Sequence, residues 1–184
     1  MPRIIAGEKK GLPLLAPKGE MTRPTGDRTK EALFSILQPD LKDARFLDLF
    51  AGSGQIGLEA LSRGASHVVF SELSGKVRAM LTRNIKSTGY EENARVLGGS
   101  ADRTCRLLIA EGETFDLIYA DPPWPDVKAQ IDKIEKHIHE LLDKGGSFIL
   151  EAPKTLDTAP FVTGLEHSRR CRYGSAMLFF YTKQ

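Results

Sequence analysis

The sequence predicts an α/β fold with a mostly parallel sheet of seven strands. From residue 44 onward, apolar runs rich in β-branched and aromatic residues alternate with segments of helical periodicity. Five strands alternate with helices in this series, as in a parallel sheet that is covered by helices on both faces. Two more extended segments surround Gly174-Ser175, and they predict an antiparallel hairpin that closes the sheet.

The first 43 residues do not follow this alternation. The segment "RIIAGEKKGLPLLAP" predicts two short strands around a turn rich in glycine and lysine, and a helix follows at 27–37. Thr25 or Asp27 is its expected N-cap. The predicted buried face of this helix consists of Leu33, Phe34, Ile36 and Leu37. We therefore expect an N-terminal extension, residues 1–43, followed by one larger domain, residues 44–184.

The periodic segments of the larger domain give its elements in order. The predicted strands are at 44–50, 67–72, 94–98, 115–120 and 147–152, and the predicted helices are at 55–63, 74–87, 101–110 and 127–142. The last helix carries an apolar stripe, and "KGG" at its end predicts a glycine stop. The closing hairpin is predicted from 165–174 and 175–182.

The composition is typical of one compact domain in water. Hydrophobic residues make up 41% of the chain and charged residues 27%. No apolar run approaches the roughly 20 residues that cross a bilayer, and the N-terminus lacks the apolar core of a signal peptide. We expect a cytoplasmic monomer without membrane contact. Cys105 and Cys171 are far apart and show no metal-ligand spacing, which predicts reduced thiols and no metal site.

Positive charge is concentrated in two places. Residues 1–30 carry seven basic groups against three acidic ones, and "RRCR" covers residues 169–172. Two basic clusters in a chain of this length indicate a polyanionic partner. The candidate contacts to nucleic acid are Lys9, Lys10, Arg28, Arg169, Arg170 and Arg172.

A glycine-rich loop follows the first predicted strand of the larger domain. "DLFAGSGQIG" places Gly52, Gly54 and Gly57 in G-x-G-x-x-G spacing at the start of a helix. This spacing predicts a tight turn, a close backbone approach to a ligand and free amide groups that favour an anion. Glu72 ends the next strand, where a carboxylate can accept hydrogen bonds from the ribose hydroxyls of an adenosine-containing cofactor.

A nicotinamide dinucleotide and S-adenosylmethionine both fit this loop, and Asp48 favours the second. A carboxylate inside "FLDLFAG" would repel a pyrophosphate and attract the ammonium group of the methionine portion. Asp102, in "GGSADR", is placed to accept from the exocyclic amine of adenine, or to cap the helix that follows.

"DPPW" stands at the end of the fourth parallel strand, where ligands bind in open sheets of this kind. Pro122 and Pro123 stiffen the backbone, which presets the direction of the Asp121 carboxyl group and the Pro122 carbonyl. Two acceptors aimed at one point can hold an exocyclic amine of a nucleobase, with its lone pair towards the donor's methyl group. Trp124 supplies a flat face on which an extruded base can stack.

These motifs together resemble a known family. "DPPW" resembles the signature of class I methyltransferases that modify exocyclic amines. "RIIAGEKKG", "TRPTGDRTKEALFSIL", "LDLFAGSGQIGLEALSRGA" and "RYGSAMLFFY" make nearly the whole chain similar to the RsmD family. The resemblance implies a Rossmann-like class I methyltransferase fold. It also implies methyl transfer from S-adenosylmethionine to the N2 amine of a guanine in 16S rRNA, within the small ribosomal subunit or an assembly intermediate of it.

The resemblance assigns the candidate residues to roles. It implies a catalytic platform of Asp121, Pro122, Pro123 and Trp124. It implies donor contacts from Asp48, Gly52, Gly54, Glu72, Asp102, Arg23 and Thr25. Three alternatives stay open: methylation of an adenine N6 in DNA or RNA, a nicotinamide oxidoreductase, and an RNA-binding assembly factor without turnover. The family more often has tyrosine or phenylalanine at the fourth position of the tetrapeptide. Tryptophan there favours the adenine alternative, because adenine-N6 methyltransferases also use this tetrapeptide with tryptophan.

Overall fold

The computed structural model describes residues 2–17 and 26–184. Five α-helices and seven strands occur in these residues. In chain order they are α1 (Asp27–Leu41), β1 (Arg45–Asp48), α2 (Gln55–Ser62), β2 (His67–Glu72), α3 (Gly75–Thr88), β3 (Ala94–Gly98), α4 (Ala101–Ala110), β4 (Phe115–Ala120), α5 (Val127–Leu141), β5 (Leu142–Pro153), β6 (Glu166–Tyr173) and β7 (Ala176–Thr182). Short 3-10 turns cover Glu91–Asn93 and Trp124–Asp126.

The strands form a single sheet in the order β3-β2-β1-β4-β5-β7-β6. The first five strands pair in parallel, whereas β7 is antiparallel to both β5 and β6. The predicted fold class, including the closing hairpin, is therefore confirmed. The strand order reverses between β1 and β4, so the loops that follow these two strands border a crevice at the carboxyl edge of the sheet.

Each face of the sheet is covered by its own apolar core. Helices α1, α2 and α3 pack on one face together with the N-terminal residues Ile4 and Leu14, which are fully buried. Helices α4 and α5 pack on the other face, with Ile131, Ile134 and Ile138 of α5 in its core. The alternating sequence thus folds as predicted because each helix buries one apolar stripe. In the described part of the chain, no helix has the length and apolar character to cross a bilayer.

A buried polar cluster attaches the N-terminal residues to α2. Glu59 is fully buried and accepts hydrogen bonds from the backbone amides of Ile5 (2.8 Å) and Ala6 (3.0 Å). The Nζ atom of Lys30, also fully buried, lies 3.4 Å from Glu59 Oε2, and Arg63 Nε lies 2.8 Å from Oε1. A buried charge needs such partners, so this cluster determines where the N-terminal segment lies.

The predicted N-terminal hairpin is shorter than expected. Its only β-pairing among residues 2–17 is the antiparallel bridge between Arg3 and Pro13, although backbone bonds also join Ile4 to Leu12. The prediction that Asp27 caps α1 is wrong. The Asp27 carboxylate accepts from Arg3 at 3.2 Å, and Gly26 occupies the N-cap position without a side-chain hydrogen bond. The alternative cap, Thr25, lies outside the described residues.

The glycine stop predicted for α5 is also wrong. The helix ends at Leu141, and "KGG" lies within β5, which begins at Leu142 rather than at residue 147. Leu142 is fully buried and pairs with Phe115 of β4. The Lys183 ammonium donates to the carbonyl oxygens of His139 (2.8 Å) and Leu142 (2.7 Å), so a distant lysine satisfies the end of the helix.

Candidate active site

Four acidic side chains lie at the carboxyl edge of the sheet. Asp48 and Glu72 end β1 and β2, Asp121 follows β4, and Glu151 lies near the end of β5. Asp48 is in register with Tyr119 of β4. Because these strands are neighbours in the sheet, the topology brings together acids that are up to 103 positions apart in the chain.

Asp48 is almost completely buried, at 1% exposure. Its Oδ2 atom accepts from the backbone amide of Gly57 at 3.2 Å, whereas its Oδ1 atom has no hydrogen-bond partner in the described part of the chain. Burial raises the pKa of Asp48 to about 7, and the nearby charge of Glu72 contributes to the rise. A buried oxygen without a partner is costly, so Oδ1 could accept a hydrogen bond from a cationic ligand group.

The glycine loop between β1 and α2 depends on close packing. Gly54 has a φ of +82°, and a Cβ atom there would lie 2.3 Å from Leu81 Cδ1 of α3. A Cβ atom on Gly57 would lie 2.2 Å from the ring of Phe70 on β2. Only glycine therefore lets the loop turn and lets α2 approach the sheet at these positions.

Two amides at this loop are bound by carboxylates. Glu72 Oε2 accepts from the Gly52 amide at 3.0 Å, and Oε1 accepts from the Ser74 amide at 2.7 Å. The Gly57 amide is bound to Asp48. The expectation of free amides that attract an anion is therefore wrong for Gly52 and Gly57. A pyrophosphate would meet negative charge here, which argues against the nicotinamide alternative.

Asp121 starts the loop after β4, with Asp48 on one side and Glu151 on the other. Burial, together with the charges of Glu151 and Asp48, raises the pKa of Asp121, while an interaction with the Trp124 side chain lowers it. Pro122 is buried and Pro123 exposed. Trp124 is half-buried and packs against the core on the α4–α5 face, so the ring has both a packed and an accessible portion.

A buried pair lies below Asp121. Glu151 is 3% exposed and Tyr119 1% exposed, and the Tyr119 hydroxyl donates to Glu151 Oε2 at 2.5 Å. Burial and the charges of Glu151, Asp121 and Asp48 raise the pKa of Tyr119. Glu151 is therefore buried beside the other carboxylates of the site.

Asp102 lies in a cleft of about 520 Å³ between the carboxyl edge of the sheet and α5. Its carboxylate binds Arg106 at 2.7 Å and His137 at 3.2 Å. Ser100 caps α4 by accepting from the Arg103 amide, so the alternative reading of Asp102 as the cap is wrong. The cleft is lined by Leu73, Ser100, Asp102, Gln130, Asp132, Lys133 and Lys136.

The candidate RNA-binding residues do not form a single patch. The amides of Glu8 and Lys9 bind Ser62 at the end of α2, which places Lys9 and Lys10 towards the amino edge of the sheet, away from Asp121. Arg28 is exposed in the first turn of α1. On the edge strand β6, Arg172 is in register, through β7, with Ala152 at the carboxyl edge of β5.

The other two arginines of β6 lie further from the carboxyl edge. Arg170 donates to the carbonyl of Asp157, and Arg169 donates to the Cys171 sulfur at 3.1 Å. Residues alternate between faces along a strand, so Arg169 lies on the opposite face from Arg170. Arg23 and Thr25, expected at the donor site, fall outside the described residues. Among the described residues, no group of three His, Cys, Asp or Glu side chains is arranged to hold a metal ion.

Sequence reasoning missed Asn84 of α3. Its side chain is 1% exposed and hydrogen-bonds both to the N-terminal segment and to the glycine loop. One signal was available, because Asn84 stands on the apolar stripe of α3 between Leu81 and Ile85, both buried. A polar residue on a buried stripe needs specific partners.

Several known proteins are similar to this chain. A sequence model of the family described as Conserved hypothetical protein 95 matches residues 2–182. YlbH of Bacillus subtilis strain 168, provisionally named an rRNA methyltransferase, is 33% identical over 184 residues, which cover 99% of each chain. Ribosomal RNA small subunit methyltransferase D of Escherichia coli K12 is 40% identical over 122 residues, which cover 66% of this chain and 60% of that protein.

A solved structure agrees with these sequence matches. The Escherichia coli protein yhhF, provisionally described as a methyltransferase, superposes with a TM-score of 0.82 and 31% identity. The superposition covers 99% of this chain and 97% of that one. The family match, the full-length relative and the shared fold lead to one conclusion: the chain belongs to the Conserved hypothetical protein 95 family, the RsmD family of class I methyltransferases that use S-adenosylmethionine.

Proposed function

We propose that the protein transfers a methyl group from S-adenosylmethionine to the exocyclic N2 amine of a guanine in 16S rRNA. The observation that carries this proposal is the position of the tetrapeptide Asp121–Trp124. It follows β4 at the topological switch point, next to the glycine loop and between Asp48 and Glu151. This is where a ligand held by the loop would face a group held by the tetrapeptide.

The residues of the loop fit the methyl donor. Asp48 Oδ1, buried and without a partner among the described residues, would accept from the ammonium of the methionine portion. Each carboxylate oxygen of Glu72 accepts from one backbone amide, of Gly52 or of Ser74, and keeps a further lone pair. These lone pairs would accept hydrogen bonds from the ribose hydroxyls of the donor. The cleft beside Asp102 would receive the adenine ring.

The tetrapeptide would hold and orient the target amine. The Asp121 carboxylate and the Pro122 carbonyl would each accept one amine hydrogen, which directs the nitrogen lone pair towards the donor. S-adenosylmethionine supplies an electrophilic methyl group on a sulfonium, whose C–S bond breaks as the new N–C bond forms. The environment that raises the pKa of Asp121 makes its carboxylate a stronger proton acceptor, which suits the group that receives the displaced amine proton.

The names of the relatives and the charge distribution support an RNA target. The full-length relative YlbH is named for methylation of ribosomal RNA, and the Escherichia coli relative is named for the RNA of the small subunit. Arg28 and Arg172 are exposed basic groups that could bind phosphates, and Arg172 is level with the carboxyl edge that carries Asp121. The substrate would be the small subunit or an assembly intermediate, and binding would weaken as salt rises.

The direct test is label transfer to bacterial small subunits that lack this modification. Wild-type protein with labelled S-adenosylmethionine is expected to label 16S RNA, and Asp121→Ala is expected to label it far more slowly. Asp126→Ala is the matched control, because Asp126 is an exposed acid five residues further along that makes no side-chain cap bond to α5. Failure of the wild-type protein to label 16S RNA would reject the proposed substrate.

Methylation of an adenine N6 is the second candidate, and Trp124 is the observation that favours it. Nucleoside analysis of the labelled RNA separates the two products, because N2-methylguanosine and N6-methyladenosine have different masses. If the label is found in N6-methyladenosine, the target is an adenine, and the roles proposed for Asp121 and Pro122 stay the same.

A further inference from the structure

Helix α3 has an exposed face that is basic. Lys76, Arg83 and Lys86 are exposed, and their spacing along the helix places them on one side of it. The opposite side is buried through residues such as Leu81 and Ile85. The other exposed positions of α3 carry no charge; they are Gly75, Ala79, Thr82 and Ser87. The exposed face of α3 therefore carries charge of one sign.

The lack of acidic residues distinguishes α3 from the other helices in the described residues. It contains four basic residues and no Asp or Glu, whereas the net charge of the whole chain is only +2. Each of α1, α2, α4 and α5 contains at least one acid. In the part of the chain that the structure describes, Lys76, Arg83 and Lys86 take part in no ion pair. A solvated helix face usually mixes charges of both signs, so this face indicates an anionic partner.

The basic face begins at the edge of the sheet that carries the candidate active site. Strand β2 ends at Glu72 and α3 follows it, so Lys76 lies near the carboxyl edge and Lys86 near the opposite edge. Arg78 Nη1 donates to the carbonyls of Glu72 (3.2 Å) and Leu73 (3.0 Å), which fixes the start of the helix against this segment. From Lys76 to Lys86 the helix rises by about 15 Å, enough to reach several successive phosphates of one strand.

The candidate active site lies between this face and a second basic position. Strand β4, which leads into the tetrapeptide, is the middle strand of the sheet. Helix α3 packs against β2 and β3 on one side of it, and exposed Arg172 lies on β6 at the other edge. At about 4.8 Å between neighbouring strands, β3 and β6 are about 29 Å apart. An RNA whose target base enters at β4 would therefore meet basic groups on both sides.

We propose that the exposed face of α3, formed by Lys76, Arg83 and Lys86, binds the phosphate backbone of the substrate RNA on the β3 side of the active site. The proposal rests on the proposed function, because it takes RNA as the substrate that reaches the tetrapeptide. Arg172 would bind phosphates on the β6 side, so that the RNA is held across the carboxyl edge of the sheet. Phosphate contacts of this kind position a nucleic acid without reading its sequence.

The test measures the affinity for labelled bacterial 16S RNA by filter binding at several salt concentrations. The double variant Arg83→Gln with Lys86→Gln should raise Kd and reduce the slope of log Kd against log salt by about one for each cation removed. Glutamine keeps the helix propensity of these positions. Both residues lie two turns or more beyond the start of α3, so the affinity for S-adenosylhomocysteine should stay at the wild-type value and show that the variant is folded.

Two control variants separate a site on α3 from the overall charge of the protein. Lys42→Gln with Lys144→Gln removes the same charge from exposed positions outside α3, and it should change the slope little. Arg83→Lys with Lys86→Arg keeps both charges and should bind RNA with the wild-type slope. If the glutamine double variant on α3 does not bind S-adenosylhomocysteine, the single variant Arg83→Gln gives the decision, with an expected change of slope of about one.

The outcomes distinguish this proposal from the proposed function. An unchanged slope in the folded α3 variant, or an equal change in the Lys42 and Lys144 variant, overturns the α3 surface even if the wild-type protein methylates 16S RNA. Weaker binding to small subunits with unchanged binding to free 16S RNA assigns the face to a ribosomal protein and also overturns it. A wild-type protein that does not methylate 16S RNA, while the α3 variant shows the expected loss of RNA affinity, overturns the proposed function alone.

Discussion

The hydroxyl group of Tyr119 on β4 donates a 2.5 Å hydrogen bond to the carboxylate of Glu151 on β5. Both side chains are buried, and they lie next to the start of the loop that carries Asp121. The bond links the two strands at the edge where the tetrapeptide begins. Removal of either partner would leave a polar group in an apolar environment.

Tyr119→Phe is therefore expected to lower the free energy of unfolding. The change removes a buried hydrogen bond to a carboxylate, a loss of about 1.5–3 kcal/mol. Tyr181→Phe is the matched control, because the Tyr181 hydroxyl donates to the neutral carbonyl of Pro160 at 2.8 Å. Its expected cost is about 0.5–1.5 kcal/mol. Urea unfolding measures the free energy of unfolding of both variants. Equal losses would mean that the bond to Glu151 stabilises the protein no more than the bond to the Pro160 carbonyl does.

Donor binding should depend on pH through Asp48. The pKa of this buried carboxyl group is raised to about 7, so below pH 7 it is mostly protonated and has lost the charge that would attract the donor's ammonium. The dissociation constant of S-adenosylhomocysteine should therefore rise as pH falls from 7, by up to about tenfold per unit. The Asp48→Asn variant should bind S-adenosylhomocysteine weakly, and its affinity should lack the pH dependence that comes from Asp48. Calorimetric titration between pH 5 and pH 8 checks this, and a flat wild-type profile would contradict it.

Asp48 should also make the protein less stable as pH rises. The folded-state pKa of about 7 exceeds the value of about 3.9 for an unfolded aspartate, so the native state binds the extra proton between these two values. The free energy of unfolding should then fall through this window, by about 4 kcal/mol at most for this group. Asp48→Asn should remove this part of the slope. Thermal melts of both proteins from pH 4 to pH 8 provide the comparison.

Trp124 should contribute to catalysis by stacking rather than by packing alone. Trp124→Phe keeps a flat ring and is expected to retain kcat/KM within a few fold. Trp124→Ala should lower kcat/KM by about 5-fold to 150-fold, the equivalent of about 1–3 kcal/mol of stacking. Phe161→Ala is the control, because Phe161 is 79% exposed in the segment between β5 and β6, and it should leave the rate unchanged. Equal values of kcat/KM for Trp124→Ala and the wild-type protein would show that Trp124 does not stack on the target base.

Basic residues at the two edges of the sheet should differ in their effect on RNA binding. Arg172→Ala, near the carboxyl edge, should weaken binding to 16S RNA and reduce the slope of log Kd against log salt by about one. Lys9→Ala together with Lys10→Ala should have a smaller effect, because these lysines lie near the end of α2, away from Asp121. Filter binding at several salt concentrations measures the slopes. A larger loss of RNA affinity in the lysine variant would mean that the RNA binds along the amino edge of the sheet instead.

Local pattern and motif position determined most of the fold. The strand and helix series predicted the sheet because each element buries its own apolar stripe, and predicted β2, β3 and β4 match the structure at their ends. The ends that differ depend on distant residues. Helix α5 ends before "KGG" because Lys183 donates a hydrogen bond to the Leu142 carbonyl and Phe115 of β4 pairs with Leu142. At the start of α1, Asp27 accepts from Arg3 instead of capping the helix.

By itself, the sequence determined which residues stand at the carboxyl ends of the strands, because an alternating series leaves only one edge for the ligand. Asp48, Glu72 and Asp121 were found in this way. Only the tertiary structure decided which atoms remain available there: glycine-loop amides occupied by carboxylates, a buried Asp48 oxygen without a partner among the described residues, and a buried Glu151. Asn84 also needed the structure, because its three hydrogen bonds join segments that are 31 and 69 positions away along the chain. Such contacts arise from packing between elements, which no local pattern contains.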